Sequence, residues 1–256
     1  MKTLYLAWQD QSSRSWFPIG RLTFDGTTYR FVYVNGAQEA QKKCGFQPLW
    51  LFPDLDKIYE SPELFPLFTN RILRRSRPDY PDFIQWLNIP AEEKDEITLL
   101  GRSGGQRATD SFEVFPSPEP DNEGFYHLYF FVHGIRHRPA ESQHRLERLH
   151  SGDSLLLMHD FQNPYDNRAL LLRTDDDYNV GYCPRYLLED VFKLLRQPSG
   201  AAQTVKVTVE RVNLPPTPIQ FRLLCTLKAP WPEGFQPFSG SIYQPIESAV
   251  AVPESA

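Results

Sequence analysis

The chain of 256 residues is longer than one domain of about 100–150 residues needs, so its length points to two units. With 41% hydrophobic and 23% charged residues the composition excludes wholesale disorder and fibrous repeats, and 23 prolines against 14 glycines exclude a long coiled coil. A net charge of −5, spread as 14 Lys+Arg against 16 Asp+Glu over residues 1–120 and 13 against 16 over 121–256, excludes bulk coating of duplex DNA or membrane and leaves room for a small basic patch.

The opening MKTLYLAWQDQSS is too short in apolar residues for a signal-peptide core, and no apolar run approaches the ~18 residues of a membrane span. Cys44, Cys183 and Cys225 are far apart and form no CxxC, which predicts a reducing, cytoplasmic setting without a disulfide frame or a zinc knuckle. Tyr5–Trp8, Phe17–Phe24 and Thr28–Val34 alternate apolar with polar residues, and Asp25-Gly26 between the last two predicts a hairpin turn. Ser61-Pro62 followed by Leu64, Phe65, Leu67, Phe68, Ile72 and Leu73 predicts a helix over 62–75. Pro81–Leu87 and Ala91–Leu100 predict two more, the second with Glu92, Glu93 and Asp95 in its first turn.

SPEPDNEG, Ser117–Gly124, has the composition of an exposed connection and marks the domain boundary. Beyond it Phe125–Val132 reads as a buried strand, followed by strands at Ser154–Met158, Ala169–Arg173 and Asn179–Tyr182. Pro184 starts a helix with Leu187, Val191, Leu194 and Leu195 on one face, stopped by Pro198-Ser199-Gly200. Thr204–Val212 and Gln220–Leu227 complete the strands. The fold class is therefore α+β: a small antiparallel sheet with helices over 1–118, a small OB-like or SH3-like β-barrel with one or two helices over 119–230, and a proline-rich tail over 231–256.

Asn163-Pro164-Tyr165-Asp166 is a turn by its own chemistry, since proline pushes Asn163 out of the helical region and Asp166 can accept backbone N–H groups further on. Tyr165 at its apex is either a lid over the core or a stacking surface. Arg136, His137 and Arg138 are expected at a strand end, and the four arginines between Arg136 and Arg148 outnumber Glu141 and Glu147. Taken in order, VHGIRHRP (132–139), SGDSLLL (151–157), FQNPYDNRALLL (161–172) and VGYCPRYLLEDV (180–191) resemble the HIRAN domain over roughly residues 125–230.

That resemblance implies an OB-type barrel that captures single-stranded DNA, with preference for a free 3′ end. It implies that Arg136 holds phosphate, that Tyr165 stacks on or flanks the terminal nucleotide, and that Asp166 meets its 3′-hydroxyl. Asn163 shapes the same turn, and Tyr182 and Arg185 lie near phosphates. His137 stands where the better-known eukaryotic members carry tyrosine. Arg138, Arg71, Arg74 and Arg75 are further candidate phosphate contacts; for the last three, a solvated helix end is the plainer reading.

Ile19-Gly20-Arg21-Leu22, Tyr29-Arg30-Phe31, Pro48-Leu49, Phe52-Pro53-Asp54, Asn70-Arg71 and Leu99–Gly105 resemble the N-terminal subdomain of HipA-type kinases over residues 1–116, without the kinase core. This implies, as the alternative function, a protein-interaction or regulatory subunit docking a HipA-type kinase partner through those residues; a repair or defence enzyme is the other candidate protein partner. All six histidines lie between His127 and His159, but i, i+4 positions on a strand sit about 13 Å apart, so no metal site is expected. Asp160 and Asp166 as nuclease ligands lack the accompanying Glu-x-Lys, and Asp175–Asp177 read as solvated charge in a hairpin turn. The sequence thus predicts a non-enzymatic, cofactor-free, cytoplasmic protein for single-stranded DNA or DNA 3′ ends, serving repair, replication or defence.

Overall fold

The computed structural model describes residues 1–197 and 205–246, which form two units. The first comprises Met1–Arg75, Ala91–Ser117 and the segment from Phe238; the second comprises Ser76–Pro90 and Pro118–Pro237. The expected helix stop at 198–200 and strand start at 204 lie outside the described residues, as does the tail beyond Ile246.

In the first unit β1 (Lys2–Gln9), β2 (Trp16–Phe24), β3 (Tyr29–Tyr33), β4 (Tyr59–Ser61) and β5 (Phe112–Pro116) form an antiparallel sheet in the order β4-β3-β2-β1-β5. The turn joining β2 to β3 is built by Asp25, whose carboxylate accepts the backbone N–H groups of Thr27 and Thr28, both at 2.9 Å. Those donors hold its carboxyl down to about 2.

Helix α1 (Asn35–Cys44) was not expected from periodicity. Its buried face is only Gly36, Ala37 and Ala40, and a Cβ on Gly36 would meet the Pro18 carbonyl oxygen at 2.0 Å. A helix buried through small residues leaves almost no apolar stripe to read.

The helix expected over 62–75 is a correction, because α2 spans only Pro66–Thr69. Pro66 lacks an N–H and its ring would clash with the carbonyl four residues back, so a helix cannot run through it from Pro62. The third expected helix begins later too: α4 is Glu96–Ser103, after α3 at Tyr80–Leu87, and Asp95 caps it by accepting the Thr98 N–H at 3.1 Å.

Aromatic packing explains the division into units. In α3, Trp86 stacks on Phe221 at 6.1 Å, and the Trp86 carbonyl accepts from Asn213 at 3.0 Å, within the second unit. Phe238 and Tyr243 pack on Tyr5 at 5.1 and 5.4 Å, and Ile246 N–H donates to the Tyr33 carbonyl, so the final segment completes the first core.

The second unit contains β6 (Phe125–Phe131), α5 (Ala140–Leu146), β7 (Ser154–His159), β8 (Leu170–Arg173), β9 (Asn179–Tyr182), α6 (Leu188–Leu195), β10 (Lys206–Val212) and β11 (Leu223–Pro230). Its strands run in the order β6-β11-β10-β7-β8-β9 as a curled half-barrel. The two outer strands meet where His133, just past β6, exchanges backbone hydrogen bonds with Tyr182 at 3.0 and 2.8 Å. Only glycine fits beside that closure: Gly181 has φ +153°, and a Cβ there would lie 2.4 Å from Val132 Cγ1 and 2.6 Å from the His133 carbonyl oxygen.

Candidate nucleic-acid interface

The loop between β7 and β8 is locked by the short polar side chains the sequence places there. Asp160 and Ala169 close its base, Asp160 N–H donating to the Ala169 carbonyl at 2.9 Å. Asn163 Oδ1 accepts the N–H groups of Tyr165 at 3.0 Å and Asp166 at 3.1 Å, while Asp166 Oδ1 accepts the Arg168 N–H at 2.9 Å. Asn163 and Asp166 therefore act first as turn builders. With the backbone satisfied from inside, Tyr165 is left outside, 70% exposed. The lid-over-the-core reading of this residue fails.

From that loop a continuous chain of side-chain contacts runs across the closure of the sheet. Asp160 Oδ2 accepts from Asn163 Nδ2 at 3.2 Å and from the Tyr182 hydroxyl at 2.9 Å. The Arg138 guanidinium lies over the Tyr182 ring, 4.9 Å from its centroid. On the other side Arg185 pairs with Asp166 at 3.5 Å. Burial, and then the bond to the Asp160 carboxylate, push the Tyr182 phenol above its ordinary value, so it remains a proton donor to Asp160 at neutral pH. Asn163, Tyr165, Asp166, Tyr182, Arg185 and Arg138 are thus brought together.

Arg136 and His137 are placed differently from expectation. Strand β6 ends at Phe131, and Gly134 at φ +71° turns the chain into a single 3-10 turn, Ile135–His137, so the arginines do not end a strand. Both side chains are exposed, and Arg136 Nε donates to His137 Nε2 at 3.0 Å. The positive patch is also narrower than the count of arginines suggested. Arg145 Nε bonds Asp176 at 2.7 Å and holds that carboxyl at about 2, while Arg173 pairs with Asp177, so the acidic hairpin turn is partnered rather than merely solvated.

The arginines of the first unit do not share one environment. Arg74 and Arg75 are exposed, whereas Arg71 is 2% exposed, bonded to Asp110 at 2.6 and 3.1 Å and to the Gly105 carbonyl at 2.9 Å. A phosphate contact by Arg71 would require that bidentate pair to open, so its assignment as a DNA contact is withdrawn.

Asp160, considered from sequence only as a nuclease ligand, is instead the hub of the hydrogen bonds around the loop. Among the described residues no group of three or more His, Cys, Asp or Glu could hold a metal ion, and no helix is long and apolar enough to cross a membrane. Phe161, two residues before Asn163 and 80% exposed, was not singled out from the sequence.

Residues 125–228 match the family model described as the HIRAN domain. Among solved structures, a protein from Lactobacillus plantarum is 21% identical over 41% of this chain and 97% of that one, with a TM-score of 0.31. The HIRAN domain of human HLTF is 16% identical over 42% of this chain and 80% of that one, with a TM-score of 0.29. No curated protein matches the chain. The likeness of residues 1–116 to HipA-type kinases rests on its sequence motifs alone. The curled sheet, its closure at Tyr182 and the loop it carries all fall within residues 125–228, and this part of the chain is a HIRAN domain.

Proposed function

We propose that this HIRAN domain captures single-stranded DNA at a free 3′ end, as a binding module without catalysis of its own, in repair, replication or defence. The observation that carries the reading is the exposed Tyr165 ring beside the Asp166–Arg185 pair on a loop whose backbone is already satisfied. An aromatic face stacks on an unpaired base, and arginine neutralises phosphate. Asp166 accepts from Arg168 N–H and pairs with Arg185, which leaves part of its capacity of about four lone-pair sites for a terminal hydroxyl. A terminal phosphate at the same place would bring its negative charge against Asp166 and Asp160. A duplex interior offers neither an unstacked base nor a free hydroxyl.

The test is binding of labelled oligonucleotides ending in 3′-hydroxyl or 3′-phosphate, or circularised. The 3′-hydroxyl form binds tightest, and Asp166→Ala abolishes the difference between hydroxyl and phosphate ends. Equal affinity for all three in the wild-type protein would sink the end-capture reading.

A further inference from the structure

We infer that Phe161 is a second base-stacking platform of this interface, so that the domain holds an unpaired nucleotide beyond the one carried by Tyr165. The inference rests on the single-strand reading above and concerns the length of DNA the site takes.

Phe161 is 80% exposed, and single exposed hydrophobic residues are ordinary on a protein surface. What sets this ring apart is that it is held. Its centroid lies 4.0 Å from the ring of His159, tilted by 40°. His159 is fixed in turn: its Nε2 donates to the Asn167 carbonyl at 2.7 Å, and its ring meets Phe192 of α6 at 5.5 Å. Through His159 the platform is therefore anchored to the far end of the same loop and to a helix, while most of the ring stays exposed. A ring already ordered loses little side-chain freedom when a base settles on it.

His159, the last residue of β7, and Asp160 directly after it engage different aromatic groups. Asp160 reaches Tyr182, while His159, one residue earlier, carries Phe161. Tyr165 projects from the same loop, four residues beyond Phe161, and is likewise exposed.

The chemistry around the ring favours a nucleotide over an apolar peptide. Arg168, on the same loop, is exposed, and its guanidinium makes no hydrogen bond or ion pair among the described residues. The carboxylates nearest in the loop, Asp160 and Asp166, are engaged by Tyr182, Asn163 and Arg185. An aromatic face with an uncommitted cation is what a base and its phosphate need.

The experiment measures affinity of the full chain for 3′-hydroxyl oligothymidylates of roughly two to sixteen nucleotides, which brackets the ~4–16 nucleotides of single-strand sites. Phe161→Ala weakens the longer oligonucleotides about tenfold, as loss of one stacked base does, and changes the shortest much less. Phe161→Trp retains affinity, and its fluorescence, taken as the difference from wild type, is quenched on DNA addition. Because Phe161 is exposed, an unchanged melting temperature serves as the folding control. Equal affinity of wild type and Phe161→Ala at every length overturns the inference while the end-capture reading stands. A wild-type protein that binds none of the oligonucleotides overturns both.

Discussion

Each unit contains an arginine and an aspartate paired beside a tight loop, and the two pairs differ in the burial of the arginine and in their geometry. In the first unit Arg71 is 2% exposed and grips Asp110 with two nitrogens while also bonding the Gly105 carbonyl, so its donors face inward. In the second, Arg185 and Asp166 pair at 3.5 Å with side chains 28% and 18% exposed, beside a tyrosine that faces solvent. Residue type alone is the same in both places. Burial and the geometry of the pair decide whether the charges bind the protein to itself or remain accessible to a ligand.

The largest expected effect comes from breaking the buried pair. Arg71→Ala leaves the Gly105 carbonyl and the partly exposed Asp110 carboxylate without their partner, at a cost of about 2 kcal/mol. Urea denaturation followed by tryptophan fluorescence measures this. A loss below about 1 kcal/mol would place Arg71 with ordinary surface pairs and erase the contrast. DNA affinity measured on the folded fraction stays that of the wild type.

Arg185→Ala should do the reverse. Its pair with Asp166 is partly exposed and long, so stability falls by no more than about 1 kcal/mol. Affinity for a 3′-hydroxyl oligonucleotide falls about tenfold, and the log–log slope of affinity against salt decreases by about one unit, because one phosphate contact is gone. An unchanged slope would mean that Arg185 serves only to orient Asp166.

Most strands were readable from sequence as short alternating or continuous apolar runs, whereas β4 (Tyr59–Ser61) and β5 (Phe112–Pro116) were not expected; Lys206–Val212 sets Val207 and Val209 against Lys206 and Thr208, and one residue in two is a strong signal. The turn of the interface was equally legible, since Asn163 and Asp166 bond backbone groups within three residues of themselves. What lay beyond reach was non-local. Periodicity shows that Tyr80–Leu87 is helical, but nothing local says that Trp86 joins Phe221 rather than the core of the flanking segments. The same holds for Phe238 against Tyr5, and for Tyr182 reaching Asp160. Helix α1 was lost for another reason, because close approach to β2 selects Gly36 and alanines and removes the stripe that would have shown it.

The smallest effect sharpens the contrast at the acidic hairpin turn, where the half-exposed Asp176 carboxylate meets the partly exposed Arg145. The Arg145 hydrogen bond is the main reason the Asp176 carboxyl stands at about 2 rather than 3.8. The folded value lies below the unfolded one, so whatever this contact adds to stability is present above pH ~4 and is lost as pH falls through about 2. Arg145→Met should return the Asp176 titration, followed by carboxyl NMR shifts, toward 3.8. It should leave unfolding at neutral pH almost unchanged, because exposed ion pairs contribute little. Asp176→Asn instead removes a negative charge from beside Arg145 and should raise affinity for single strands slightly, with no change in preference between 3′-hydroxyl and 3′-phosphate ends. A change in that preference would mean that the DNA end lies at the hairpin turn rather than at Asp166.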